Sequence, residues 1–428
     1  MARSGNMNRR TFLKGGAVAA GTAIALPQIV PSTVFGANAP SNRIVMGAVG
    51  VGRQGTGNLR GFLGVKNVQM VAVCDVEKTH RDRAKEYVDK KYKSKDCKAY
   101  NDFRKITRDS DIQAVSIATP DHWHTLPAID AAKNGKDMYV EKPLTLTIKE
   151  GRVLSDTVKR YGRVLQTGSQ QRSDSKFRLA CELVRNGRIG DLKSVLVRIP
   201  GNNKSCKSWK PEPVPEGFDY NFWLGQAPEA PYCKARCHYQ FRFILDYSGG
   251  QVTNWGAHYL DIAQWGIGAD GSGPVEVSDA GGVFPTEGLF TTATKVNFKA
   301  KYANGVTLQC RTGGGSTRFE GTKGWIDVTR GRIKTEPESL ARETFGADEI
   351  HLYKSSNHRG NFLECVRTRK QPICNAEIGH RSASLCHLGN IAMLRKKTLK
   401  WDPKTETFPD DKQANNMVSR VMRPPWSL

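Results

Sequence analysis

The sequence predicts an α/β chain of two domains, and two observations carry that expectation. From Ile44 to Gly168 short apolar runs rich in β-branched residues alternate with helical segments, the pattern of a parallel sheet covered by helices. Within it, one run breaks into Gly50-x-Gly52-x-x-Gly55 and the next run, Val68 to Cys74, ends in Asp75. After Gly168 the strands recur around a long stretch dense in Pro, Gly, Trp and Cys, which marks a second domain. The expected division is a leader over residues 1–39, a first domain over 40–165 and a second over 166–428.

The glycine run has the spacing of a dinucleotide-binding βαβ unit, with an acid about 20 residues beyond the last glycine. Gly50 permits the tight turn, Gly52 admits the backbone to a pyrophosphate, and Gly55 lets the next helix pack against the strand, its N-terminus facing the anion. Asp75 would accept hydrogen bonds from the adenosine ribose hydroxyls and repel a 2′-phosphate, which favours NAD. Arg53, beside Gln54 in the same loop, keeps NADP open.

The leader carries Asn8-Arg9-Arg10-Thr11-Phe12-Leu13-Lys14, and no charged residue follows from Gly15 to Asn42. Paired arginines before a mildly apolar, Gly- and Ala-rich core resemble a twin-arginine export signal, with cleavage expected between Phe35 and Ala39 and a periplasmic destination. Gly15, Gly16, Gly21, Thr22 and Pro27 make the run too polar for a membrane anchor, so no membrane association is expected after its removal. The net charge of +24 is spread along the chain among acids and comes with no nucleic-acid motif, so it implies a basic surface and no nucleic-acid partner. Among ten cysteines the one tight group is Cys233, Cys237 and His238 with Cys206 upstream. It lacks the second pair of a zinc site, so no metal is expected, and a late disulfide stays open.

Lys78 to Tyr92 reads as a surface helix. Ile112 to Ala118 is a buried parallel strand whose carboxyl end carries Thr119-Pro120-Asp121-His122-Trp123-His124, at the edge where open α/β sheets bind ligands. His124 can face the cofactor or cap the helix from about Trp123 to Asn134 that Gly135 ends. Met138-Tyr139-Val140 then delivers Glu141-Lys142-Pro143 to the same edge, and Gly162 to Gly168 adds a strand. Farther on, Phe177–Asn186 is an amphipathic helix and Leu192–Ile199 a strand. Alternating runs lie at Thr291–Phe298 and Val306–Cys310, and closing helices at about Asn357–Arg369 and Gly379–Arg395. In the stretch from Asn202 to His238, Trp209, Tyr220, Phe222, Trp223 and Tyr232 can either stack on sugar rings or fill the loop's own small core.

The fingerprint, a strand ending in Thr119-Pro120-x-x-x-His124 and a strand ending in Glu141-Lys142-Pro143 together resemble the oxidoreductase family of glucose–fructose oxidoreductase, inositol dehydrogenase and MocA. The resemblance runs over essentially the whole chain after the leader. It implies a Rossmann domain followed by an α/β domain with a large, mostly antiparallel sheet, whose outer face often makes a homodimer or tetramer. It also implies that Thr119, Pro120, His124, Glu141 and Lys142 line the cofactor site with the glycine loop, and that Lys142 contacts the substrate hydroxyl. Gly249 to Asp261 looks like the family's helix with an acid and, four residues later, a catalytic histidine. His258 matches, but Asn254 stands where the acid is usual; Asp261, on the same face, either substitutes for it or braces the helix. Asp246, Tyr247, His380 and Arg381 are weaker pocket candidates.

The resulting expectation is an exported NAD(P)-dependent oxidoreductase acting on a sugar, polyol or glycoside hydroxyl, delivered by the twin-arginine machinery. Because free NAD is scarce outside the cytoplasm, the cofactor should be tightly retained. Redox-neutral glycoside cleavage through a keto intermediate is the enzymatic alternative, and a sugar-binding module on a Rossmann scaffold the non-enzymatic one.

Overall fold

Six parallel strands order as β3-β2-β1-β4-β5-β6 in the first sheet of the computed structural model, which describes residues 42–201 and 204–428. The leader and its cleavage site lie outside those residues. The strands are β1 (Ile44–Val49), β2 (Val68–Cys74), β3 (Lys98–Tyr100), β4 (Ala114–Ile117), β5 (Asp137–Val140) and β6 (Leu165–Thr167). Their connecting helices include α1 (Arg53–Leu63), α2 (Lys78–Tyr92), α3 (Thr125–Lys133) and α4 (Ile148–Arg160). The order reverses between β1 and β4, which opens a crevice at their carboxyl ends, as the doubly wound pattern requires. Burial on both faces explains why these strands read as unbroken apolar runs.

The second sheet has eight strands in the order β13-β12-β11-β7-β10-β9-β8-β14. These are β7 (Leu192–Ile199), β8 (Glu276–Asp279), β9 (Asn297–Lys301), β10 (Thr307–Thr312), β11 (Ser316–Gly321), β12 (Trp325–Thr329), β13 (Arg332–Glu336) and β14 (Thr398–Lys400). Only β7 and β10 run parallel; every other neighbour is antiparallel. Helices α5 (Ser175–Arg185), α6 (Ala257–Ile267) and the buried α8 (Ala376–Arg395) share the apolar core of this sheet. The run expected as a strand from Thr291 enters the sheet only at Asn297. Its first residues are taken by the preceding loop, since Thr291 N–H and Thr292 N–H both donate to Phe243 O.

Chain order and packing order part company near the C-terminus. Helix α7 (His358–Thr368) packs on the first sheet, with Phe362 against Phe62 and Tyr139 at ring separations of 6.2 and 5.9 Å, whereas the sequence suggested that it closes the second domain. Trp426 likewise reaches back to stack on Phe222 and meet Trp123. No helix among the described residues is long and apolar enough to cross a membrane.

Asp261 braces the fold. Its carboxylate, fully buried, accepts two hydrogen bonds of 2.8 Å from Arg172 Nε and Nη2 and one from Ser382 Oγ, while Asp270 takes the other side of the guanidinium at 2.7 Å. Every acceptor position of Asp261 facing that guanidinium is committed, so it does not stand in for the acid missing at position 254. Removing one member of a buried pair strands the other charge, at a cost of about 3–5 kcal/mol. Asp261→Ala should therefore destabilise the protein by about 3 kcal/mol, the lower end of that range because Asp270 still shares Arg172. Urea unfolding followed by fluorescence checks it, and a loss below 1 kcal/mol would contradict the brace.

Candidate active site

A cleft of about 1080 Å³ opens at the carboxyl edge of the parallel sheet, and both halves of the chain line it. At one end lies the glycine loop. Gly50 has φ +76°, and a Cβ there would sit 2.6 Å from Thr119 N; a Cβ on Gly55 would fall 1.8 Å from Gly50 O. Gly52 differs, because a Cβ there would meet only the His80 ring at 3.7 Å and would otherwise fill the cleft. This is the space a pyrophosphate backbone needs above the start of α1. Asp75 fixes the loop from the end of β2, accepting hydrogen bonds from Val51 N–H at 2.8 Å and Glu77 N–H at 3.0 Å. Thr119 Oγ1 is buried with no partner among the described residues, an orphaned polar atom of the kind a ligand satisfies. Arg53, Gln54 and Pro120 line the same end.

Two of the residues expected at the cofactor are braces as well as lining. Glu141 Oε1 accepts from Gln54 Nε2 at 3.1 Å, Asn58 Nδ2 at 2.9 Å and Gln170 Nε2 at 3.4 Å, tying the end of β5 to α1 and to the second half. The ring of His124 bridges the carbonyl oxygens of Pro143 at 2.6 Å and Thr119 at 3.0 Å, which locks the loops after β4 and β5 together. Its expected alternative as a helix cap is not met, since no side-chain capping bond is present at the start of α3.

Lys142 Nζ donates to Asn254 O and Asn254 Oδ1, each at 3.1 Å. Asn254 lies in a π-helical turn, Val252–Gly256, that leads into α6, and its own amide donates to Gln251 Oε1 at 3.1 Å. The expectation that residue 254 orients His258 assumed α-helical spacing through this segment. The wider turn instead hands Asn254 to Lys142. His258 is left with Nδ1 buried and unpartnered among the described residues, its ring set edge-on to Trp255 at 6.0 Å, on the wall of the same cleft.

Electrostatics separate the two groups from their usual behaviour. Burial first, then the positive charges of Lys142 and Arg330, hold the His258 imidazole well below its ordinary pKa, so the ring is neutral. Burial also lowers Lys142, against the opposing pull of Glu141 and Asp121. Asp121 accepts a 2.5 Å hydrogen bond from Ser248 Oγ, and burial raises its pKa. Of the weaker candidates, none lines the cleft: Asp246 faces Arg420, Tyr247 packs on His122 and Trp223, and His380 and Arg381 pair with Glu406.

Sequence reasoning missed Asp121, Arg242 and Arg330 as cleft residues. Arg330 sits on the two-residue turn between β12 and β13, stacked 4.9 Å over the Trp255 ring, a position no chemical motif announces. Most of the aromatic stretch packs into a core of its own, with Phe218, Tyr220, Trp223, Tyr232 and Tyr247 together, while Phe222 stacks on Trp426 and, with Phe218 and Trp223, also lines the cleft; Trp209 lies outside that core, half exposed under Arg236. All ten cysteines are free thiols, Cys233 and Cys237 being buried in that core.

Residues 44–169 match the oxidoreductase family's NAD-binding Rossmann fold, and residues 201–428 match the C-terminal alpha/beta domain of the same family. The chain belongs to the Gfo/Idh/MocA oxidoreductase family. A twin-arginine signal matches residues 6–25, which directs export to the periplasm. Among relatives, a glycosyl hydrolase family 109 protein of Shewanella sp. (strain ANA-3) is 33% identical over 205 residues. The α-N-acetylgalactosaminidase of Shewanella oneidensis is 32% identical over the same length; each match spans 44% of this chain and 44% of the relative. The aldose–aldose oxidoreductase of Caulobacter crescentus, solved with glycerol, superposes with TM-score 0.62 at 19% identity, over 84% of this chain and 99% of that one. The WlbA dehydrogenase of Bordetella pertussis, solved with NADH and UDP-GlcNAcA, gives 0.61 at 18% identity over 84% and 99%. These likenesses establish the fold, and the glycine loop with its open Gly52 fits NAD.

Asp75→Ala removes a desolvated acceptor and frees Val51 N–H, so NAD affinity should fall by about 1–3 kcal/mol, or roughly 5- to 150-fold. Titration of nucleotide-stripped protein by calorimetry measures it. Tighter binding of NADP than NAD by the unmodified protein would overturn the role of Asp75.

Proposed function

We propose that this chain is a periplasmic oxidoreductase that removes hydride from a carbinol carbon of a sugar, polyol or glycoside, with its NAD retained between turnovers. The observation that carries the reading is that Lys142 and His258 face one cleft with the dinucleotide loop, one as a donor and the other as a neutral base. When bound, NAD supplies the acceptor for the hydride and can return it. Lys142, steadied by both oxygens of Asn254, donates to the substrate oxygen and stabilises the developing alkoxide. His258 Nδ1 receives the hydroxyl proton. The positive field that weakens His258 as a base also acidifies the hydroxyl beside Lys142, so the two shifts run in the same direction and the transfer stays feasible.

Retention has a physical source in the second half. Around the end of β2, Lys78 N–H donates to Gly217 O at 2.8 Å and Asp219 N–H to Val76 O at 3.0 Å, while Asn101 Nδ2 donates to Asp219 Oδ2 at 2.8 Å. The segment 217–219 thereby closes one side of the cleft, and nucleotide exchange needs these bonds to open. The glycosidase names of the Shewanella relatives favour a second reading, in which the same hydride step is transient and a glycoside is cleaved with no net oxidation.

Nitrophenyl glycosides, including the α-N-acetylgalactosaminide, distinguish the readings. Nitrophenol release without lasting reduction of the bound nucleotide supports cleavage, and accumulation of reduced nucleotide supports net oxidation. Lys142→Ala should cut either activity by at least about 10²-fold while the dinucleotide released on denaturation stays at the wild-type stoichiometry. Retained turnover with lost nucleotide would reverse the assignment, and a sugar ligand bound without either chemistry would leave a binding module.

The pH profile follows from the signs of the shifts. His258 must be neutral and its pKa lies below 6.5, so activity should fall off only below that pH; Lys142 must be charged and lies below 10.5, so the alkaline limb falls short of that value. Asn254→Asp sets a carboxylate beside Lys142, which favours the charged form of both groups and should move both limbs to higher pH. An unchanged acid limb in that variant would remove His258 from the proton transfer.

A further inference from the structure

His238 leaves the cysteines that precede it in sequence and turns toward the end of β2. Its backbone is left-handed at φ +52°, a conformation that histidine, aspartate and asparagine adopt more readily than most residues other than glycine. The ring stacks on Phe218 at 5.8 Å and stands edge-on to His80 at 5.8 Å. Glu77 immediately precedes α2 and His80 lies in its first turn, while Phe218 pairs with Glu77 as an antiparallel bridge. A backbone bridge therefore holds Glu77 in place, and ring contacts hold the two imidazoles, before any ligand is considered.

Their polar atoms converge on a point. Glu77 Oε2 lies 3.4 Å from His80 Nδ1 and 3.3 Å from His238 Nδ1, and one ligand atom from each of the three residues falls within 4.8 Å of the other two. Neither approach has hydrogen-bond alignment: Glu77 Oε2 is buried with no hydrogen-bond partner among the described residues. Asp75 Oδ1 stands 3.7 Å from His80 Nδ1 on the same side. An ion held tetrahedrally at about 2.0–2.1 Å separates its ligand atoms by about 3.3–3.4 Å. Both carboxylate-to-imidazole edges match that spacing. Two imidazoles with one carboxylate suit zinc and its neighbours, whereas calcium and magnesium call for oxygen shells.

We propose that Glu77, His80 and His238 form a site for a zinc-class divalent ion that clasps the loop carrying His238 to the carboxyl end of β2. Two ligands belong to the nucleotide-binding half and one to the second half, so the ion cross-links the segments that flank Asp75. The site stands on these residues alone. Its consequence for nucleotide exchange rests on the proposed function.

Untagged protein, dialysed against EDTA and then metal-free buffer, is titrated with zinc chloride by equilibrium dialysis with elemental analysis. One zinc per chain is expected, with the thermal midpoint higher in zinc than in EDTA. His80→Gln and His238→Asn, the latter chosen because asparagine tolerates the left-handed backbone, should each weaken zinc binding at least tenfold. Cys233→Ser should leave it unchanged. Nucleotide content measured on the same samples separates this outcome from the oxidoreductase reading: zinc bound by protein without dinucleotide still supports the clasp. Sub-stoichiometric zinc with no thermal shift in the unmodified protein overturns it, as does equal zinc in both histidine variants, or loss in Cys233→Ser alone.

Discussion

The contact between Lys142 and Asn254 is the constraint on which the site depends. A partly buried ammonium with no carboxylate bonded to it among the described residues is costly, and two neutral oxygens at 3.1 Å offset only part of that cost. The shortfall is the lowered proton affinity of Lys142. The position of Lys142 at the end of β5 is set by Glu141, which gathers three amide donors, and by His124, which bridges the neighbouring loops. The position of Asn254 is set by the π turn. A carboxylate at 254 would neutralise Lys142 and raise His258; the amide keeps the charge on Lys142 uncancelled and the histidine neutral. The amide at position 254 thus leaves the layout of the site intact.

How much of this was legible depends on whether the governing interaction is local in sequence. The glycine loop, Asp75, α2 and β7 follow from periodicity and from turn chemistry within a few residues, and their observed bounds sit where the pattern put them. The places of Lys142 and His258 on the cleft wall were legible through motif context. The partner of Asn254 was not, because a π turn and an α-helix have the same composition and differ only in which backbone pairs form. Asp261 was ambiguous for a different reason. Its partner Arg172 is far away in the chain, and nothing in either neighbourhood says that the two are buried together. Arg330 arrives on a hairpin turn of the second sheet, so its place over Trp255 is a product of sheet register alone.

The same logic applies to the aromatic stretch between the sheets. Its residues were compatible with either a sugar platform or a private core, and composition does not distinguish the two. Packing does: Phe218, Tyr220, Trp223 and Tyr232 bury one another, so the stretch behaves as a small folded body in its own right. A body with its own core can be held against the first sheet by a few edge bonds and a cluster of ring contacts without losing its shape when they open.

That division bears on how the nucleotide cleft is held closed. Helix α7 and Trp426 return from the end of the chain to pack on the first half, so the two sheets are joined by buried contacts that opening the cleft need not disturb. The contacts that do guard the adenosine end are of a lighter kind: the backbone pairing of 217–219 with 76–78, one amide-to-carboxylate bond, and the Glu77 cluster. A permanent lid would require apolar burial on the scale of the cores. A releasable one requires polar contacts few enough to break together, and the seam at the end of β2 is of that second kind.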